Sequence, residues 1–169
     1  MILPIYDINH NDTARFSLGD TKGNTLFVLS LNPSRATNTH LDPTLKNVDA
    51  FRSLLGFDSF LMLNLYPQRA TDPINIHKRR SRKLLDENLR TIGKYVTKGS
   101  TIWASWGDLI ETRSFLKDSL LDIYETIGNR DLKWIMYDSP TKKGHPKHPS
   151  RKKHEDRFQP FDIESYLNS

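Results

Sequence analysis

Four apolar runs punctuate the chain: "TLFVLSL" (25–31), "SFLMLN" (59–64), "TIWAS" (101–105) and "LKWIMY" (132–137). Each is near-continuous rather than alternating, the pattern of strands covered on both faces of a sheet. Between them, apolar positions recur three and four apart. Residues 43–56 place Leu45, Val48, Phe51 and Leu55 on one helical face, closed by Gly56. Residues 81–96 do the same with Leu84, Leu85, Leu89, Ile92 and Val96, and residues 107–128 carry a third helical pattern that allows a break midway. The order β-α-β-α-β-α-β predicts right-handed crossovers and a parallel, doubly wound sheet. "ARFSLG" (14–19) is expected to add an edge strand, and "FDIESYLN" (161–168) a closing helix. There is no repeat and no low-complexity linker, so residues 1–169 read as a single α/β domain.

Composition narrows the class. A length of 169 residues suits one domain with a full core, and 36% hydrophobic with 27% charged residues marks a globular chain. No apolar run approaches a membrane span. The start, "MILPIYDINHND", lacks a basic n-region and a sustained apolar stretch, so no secretory signal is expected. There are no cysteines, which excludes disulfides, thiolate zinc sites and cysteine-ligated iron–sulfur clusters. A cytoplasmic monomer without a cofactor is the expectation. The net charge of +5 favours a polyanionic partner. That charge is concentrated: residues 142–157, "KKGHPKHPSRKKHEDR", hold seven Lys/Arg and three of the six histidines. Neither "GxxxxGK[ST]" nor "GxGxxG" is present, which argues against a nucleoside triphosphatase or a dinucleotide oxidoreductase.

In open α/β sheets, ligands bind beyond the carboxyl ends of the strands. Here those ends read "LNPSRATNTHLDPT", "NLYPQRATDP", "SWGD" and "DSPTKKGHPKHPSRKK". An Asn closes two apolar strands, and a His-Pro-Ser follows the last. The set resembles the uracil-DNA-glycosylase superfamily, through Asn32-Pro33-Ser34, the strand ending at Asn64, Trp106-Gly107, and His148-Pro149-Ser150, in that order. "LNPS", "DPT", "NLYPQRATDP" and "HP" also look like a bacterial and phage family catalogued only as a domain of unknown function. The first resemblance implies a three-layer α/β/α fold with a four-stranded, mainly parallel central sheet. It also implies a DNA glycosylase that flips a modified or damaged base, such as one in phage DNA, and hydrolyses its N-glycosidic bond without a metal.

On that resemblance, Asn32 would position a water, His148 would donate to the leaving base, and Asn64 would read the base edge with its donor and acceptor. An amide is no general base, so Asp42 and Asp72 stand in reserve. Pro33, Ser34 and Trp106 would complete the base pocket. Ser34 stands where the uracil-specific branch has an aromatic residue, which would leave room beside C5 of a pyrimidine. Arg35, Arg69, Lys147, Ser150, Arg151, Lys152 and Lys153, with the "HKRRSRK" run (77–83), would bind DNA phosphates.

Every motif also has a plain counterpart. Asn32-Pro33-Ser34 is turn-forming, Asn64 suits a satisfied buried amide, and Trp106-Gly107 suits core packing plus a tight turn. Asp42 before Pro43, and Asp72 before Pro73, fit helix caps. His148 fits a solvated basic tail. His145, His148 and His154 suggest a metal site, which the surrounding lysines oppose. The rival functions are a nucleic-acid-binding module of the same fold without chemistry, and a hydrolase of free nucleosides or nucleotides.

Overall fold

The computed structural model describes residues 1–169. Seven strands, β1 (Ile5–Ile8), β2 (Arg15–Gly19), β3 (Thr25–Ser30), β4 (Ser59–Asn64), β5 (Thr101–Ala104), β6 (Lys133–Tyr137) and β7 (Phe158–Pro160), form one sheet in the order β1-β2-β4-β3-β5-β6-β7. β4, β3, β5 and β6 run parallel, and they are the four apolar runs. β2 pairs antiparallel with β4, β1 with β2, and β7 with β6. The expected four-stranded, mainly parallel sheet is therefore corrected to a seven-stranded mixed one.

The three strands outside the parallel block explain the difference. β2 was expected at an edge and lies inside, fully buried between β1 and β4. β1 and β7 are short and of mixed polarity, with no period that distinguishes them from loop. Backbone pairing to a sheet already in place makes them strands, and such edge additions leave little mark on side-chain pattern.

Helices cover both faces. α1 (Pro43–Leu54) packs Leu45, Val48 and Phe51 on Leu26, Val28, Phe60, Met62 and Trp103. α2 (Arg82–Tyr95), α3 (Phe115–Ile127) and α4 (Ile163–Leu167) cover the other face, over Phe27, Leu29, Leu61, Leu63, Ile102 and Ala104. Strand alternation thus divides each central strand between two cores. Caps set the helix starts: Asp42 accepts from the Leu45 amide, Ser81 from that of Leu84, and Asp162 from that of Ser165. The expected break in the third helix falls at Arg113, between a 3-10 turn (Asp108–Thr112) and α3. No helix is long and apolar enough to cross a membrane.

Candidate functional site

β3, β4 and β5 end together at one rim, and β2, running the opposite way, begins there. At that rim lies a cavity of about 410 Å³ bounded by the N-terminus of α1 and the loop 141–150. That is the size range of small-ligand pockets. Asn32, Ser34, Asp42, Asn64, Trp106, His148 and Ser150 all line it, so segments more than a hundred residues apart in the chain converge on one cavity.

The first apolar strand breaks at Pro33 because proline has no N–H to continue the ladder. The Asn32 side chain takes over: its amide nitrogen donates to the carbonyls of Pro33, Gln68 and Ala70 at 3.2, 3.3 and 2.8 Å. With Nδ2 so held, Oδ1 is the atom left without a partner in the chain. Pro33 itself is buried, and its carbonyl accepts from the Ala70 amide.

Asn64 projects by alternation to the α1 face, with Met62, since Leu61, Leu63 and Leu65 serve the opposite core. Its side chain is 1% exposed and its amide nitrogen has no partner in the protein. Its backbone carbonyl accepts from Asn88 Nδ2 at 2.9 Å. Asn88 sits in the buried stripe of α2, where sequence reasoning overlooked it; the signal was a polar residue among Leu85, Leu89 and Ile92.

His148 is held by its own loop. Nδ1 accepts from the Ser150 amide at 3.2 Å and lies 2.9 Å from the Ser150 hydroxyl, so the neutral ring carries its proton on Nε2. Burial pushes its pKa below the ordinary histidine value; Asp42 opposes the shift and Lys152 adds to it. The imidazole is therefore neutral at pH 7, a donor at Nε2 without formal charge. Gly107 brings the loop in: its φ of 70° and ψ of −172° belong to a region nearly exclusive to glycine. Its N–H donates to Pro146 at 2.9 Å, and a Cβ there would meet His148 Cβ at 3.5 Å.

Asp42 has both oxygens in use. One caps α1, and the other accepts from Ser34 Oγ at 2.6 Å. Asp72 caps the turn Pro73–Asn75. Both carboxylates thus perform the capping roles that their Asp-Pro sequences suggest. Trp106 is 1% exposed, and its indole N–H donates to Tyr166 at 3.0 Å. Tyr166 also bonds His145, whose other nitrogen lies 2.9 Å from Glu111. His154 pairs with Asn47, so the three tail histidines have separate partners.

The cations divide. Arg35, Arg151 and Lys153 are exposed, and Lys152 is half-buried. Arg69 is tied to Asp12, Tyr6 and the carbonyls of Ser34 and Ala36, and Lys147 is paired with Asp138. These two serve the fold. In the 77–83 run, Arg80 pairs with Asp122. One cation that sequence reasoning missed lines the cavity: Arg15, 3% exposed at the start of β2. Its signal was a lone charge opening an apolar strand.

A family model described as protein of unknown function (DUF1643) matches residues 15–150. No curated protein and no solved structure matches the chain. No uracil-DNA-glycosylase family matches either, so that resemblance is overturned, and with it the inference that Ser34 replaces an aromatic wall. The matched segment runs from the buried Arg15 through the His-Pro-Ser loop and takes in the whole lining of the cavity. The chain belongs to the DUF1643 family.

Proposed function

We propose that the cavity takes a nucleobase and that the protein hydrolyses the N-glycosidic bond of a nucleotide flipped out of DNA. The observation that supports this most is the complementary state of three side chains on one cavity. Asn32 offers a fixed, unpartnered acceptor, His148 a neutral donor at Nε2, and Asn64 a buried amide with no partner of its own.

Glycoside hydrolysis needs a water held against the anomeric carbon and donors aimed at the departing base. Asn32 Oδ1 accepts from the water and orients it. The C–N bond breaks with its electron pair going to the base, and water oxygen bonds to the anomeric carbon. His148 Nε2–H donates to the base as negative charge gathers there, and Asn64 holds the base edge. Donors already in place stabilise the developing charge without reorganising, and in enzymes this is usually the main source of rate enhancement. The base takes up the proton that the water releases, which balances the step. Asp42, already accepting two hydrogen bonds, keeps Ser34 and α1 in place rather than abstracting that proton.

Arg35, Arg151, Lys152 and Lys153 supply phosphate contacts around the Asn32 and His148 segments. A second reading, a hydrolase of free nucleotides, draws support from Arg69 and Lys147, which are committed to internal bonds and leave fewer cations for a polymer.

The test is incubation with duplex and single-stranded DNAs carrying modified bases, and with free nucleotides, followed by detection of released base. Release from DNA is expected, with Asn32→Ala and His148→Ala each slowing single-turnover cleavage by roughly a hundredfold. Parental rates in both variants would remove the catalytic assignment, and release from free nucleotides alone would select the second reading.

A further inference from the structure

Arg15 is the least expected residue of the cavity. It opens β2, a strand buried along its whole length, and is itself 3% exposed. A guanidinium so buried normally has its five N–H donors matched. Here Nη1 donates to the Ala36 carbonyl at 2.8 Å, while Nε is buried without any partner. Nη2 makes no hydrogen bond within the chain either. The edge formed by Nε and Nη2 is the fork by which arginine engages two adjacent oxygens of a carboxylate or phosphate.

Two carboxylates, Asp42 and Asp108, also line the cavity, and neither pairs with Arg15. Asp42 accepts from Leu45 and Ser34, and Asp108 from Thr141. Asp42 acts on Arg15 through space alone, raising its pKa, while burial first and the Arg69 charge second pull it down to about 10. The charge persists at neutral pH and is stabilised less than in water. The N-terminus of the twelve-residue α1 borders the same cavity through Thr44 and Leu45, adding a dipole of the same sign.

We infer that the free Nε/Nη2 edge of Arg15 is a recognition site for an oxyanion of the substrate, bound inside the cavity beside Asn64. The inference rests on the cavity being the substrate site, as proposed above, but not on its hydrolytic chemistry. One chemistry covers two sources: the phosphate of the bound nucleotide, or an acidic substituent carried on its base. It also accounts for a cation placed where a cavity for a neutral base would hold an amide or an apolar side chain.

Binding is measured by calorimetry on the intact protein with inorganic phosphate, acetate, the common nucleosides, their 5′-monophosphates and 5-carboxyuridine. At least one anionic nucleoside derivative is expected to bind roughly ten- to hundredfold tighter than its neutral parent. Preference for the monophosphates assigns the phosphate, and preference for 5-carboxyuridine assigns the acidic base. Arg15→Met should abolish the preference, and Arg15→Lys should keep part of it. Arg15→Met leaves the Ala36 carbonyl bonded to Arg69 Nη1 at 3.2 Å, so its fold is expected to survive, and circular dichroism checks this. Equal binding of charged and neutral probes, no binding of any anion at millimolar concentration, or an unchanged preference in Arg15→Met overturns the inference. Anion binding without base release from any substrate would sink the hydrolase reading and leave this one standing. Base release without anion preference would do the reverse.

Discussion

At the residue scale, the cavity holds side chains whose protein contacts are incomplete, and that incompleteness can be measured. Arg15 is charged, buried and only partly bonded, a combination that lowers stability. Replacing such a group by an apolar side chain of similar length is often neutral or stabilising. Arg15→Met is therefore expected to unfold at the same or a higher temperature than the parent, by calorimetry, and a drop of several degrees would mean that Arg15 serves the fold. His148 makes a prediction in pH. Its folded pKa is held below the ordinary value, so the unfolded chain takes up the proton first as the pH falls. Stability should decline below about pH 6.5, the ordinary histidine value, and level off below the folded pKa. His148→Gln should lose less stability than the parent between pH 7.5 and pH 5 in urea titrations. An identical loss would place the titrating group elsewhere.

At the element scale, three terminations build the site: β3 into Pro33, β4 into Asn64 and β5 into Gly107. Asn32 ties the first to the second through the Ala70 and Gln68 carbonyls. Gly107 ties the third to the histidine loop through Pro146. The Gly107 backbone lies where a side chain costs about 1–3 kcal/mol. Gly107→Ala should therefore lower stability by roughly that amount and, as the strained backbone relaxes, loosen the bond to the Pro146 carbonyl that holds the histidine loop, the added Cβ itself meeting His148 only at contact distance. Its expected signature is a greater loss of base release than of DNA binding, and equal losses would show that the loop acts only as a DNA contact. The Asn88 bond to the Asn64 carbonyl predicts a related result. Asn88→Leu removes a donor from a buried carbonyl, at a cost of about 1–3 kcal/mol. It also removes the buried and unpartnered Asn88 Oδ1, which offsets part of that cost, so a net loss at the lower end of the range is expected by urea unfolding.

At the scale of the whole molecule, charge is sorted by place rather than by number. Among the basic residues expected to meet DNA, Arg69 and Lys147 are held in ion pairs, as are Arg80 and Arg82 of the 77–83 run. Arg35, Arg151 and Lys153, with Lys78, Arg79 and Lys83 of that run, are exposed and unpaired, and Lys152 is half-buried. Affinity for DNA should fall steeply with salt through release of counterions. The double variant Lys152→Ala, Lys153→Ala should weaken binding to all sequences and flatten the salt slope by roughly two. A salt-independent affinity would remove a polyanion from the reading, and an unchanged slope would move the contact off this tail.

The chain's own pattern determined the parallel core and its helices. Continuous apolar runs have one stable fate, burial on both faces, and the 3.6-residue spacing of Leu45, Val48 and Phe51 has another. The strand ends were legible for the same reason, since polar residues and prolines at the end of a buried run mark where the ladder stops. Only the tertiary structure decided how many strands the sheet has, because β1 and β7 join through backbone hydrogen bonds that any side chain permits. It also decided which cations are free: whether Arg69 finds Asp12, or Lys147 finds Asp138, depends on loops meeting across the rim. Arg15 shows the same limit from inside. Its charge is visible in the sequence, but its missing partner is a property of the space around it, and that space exists only once β2 lies beside β4 and the loop after β3 folds over both.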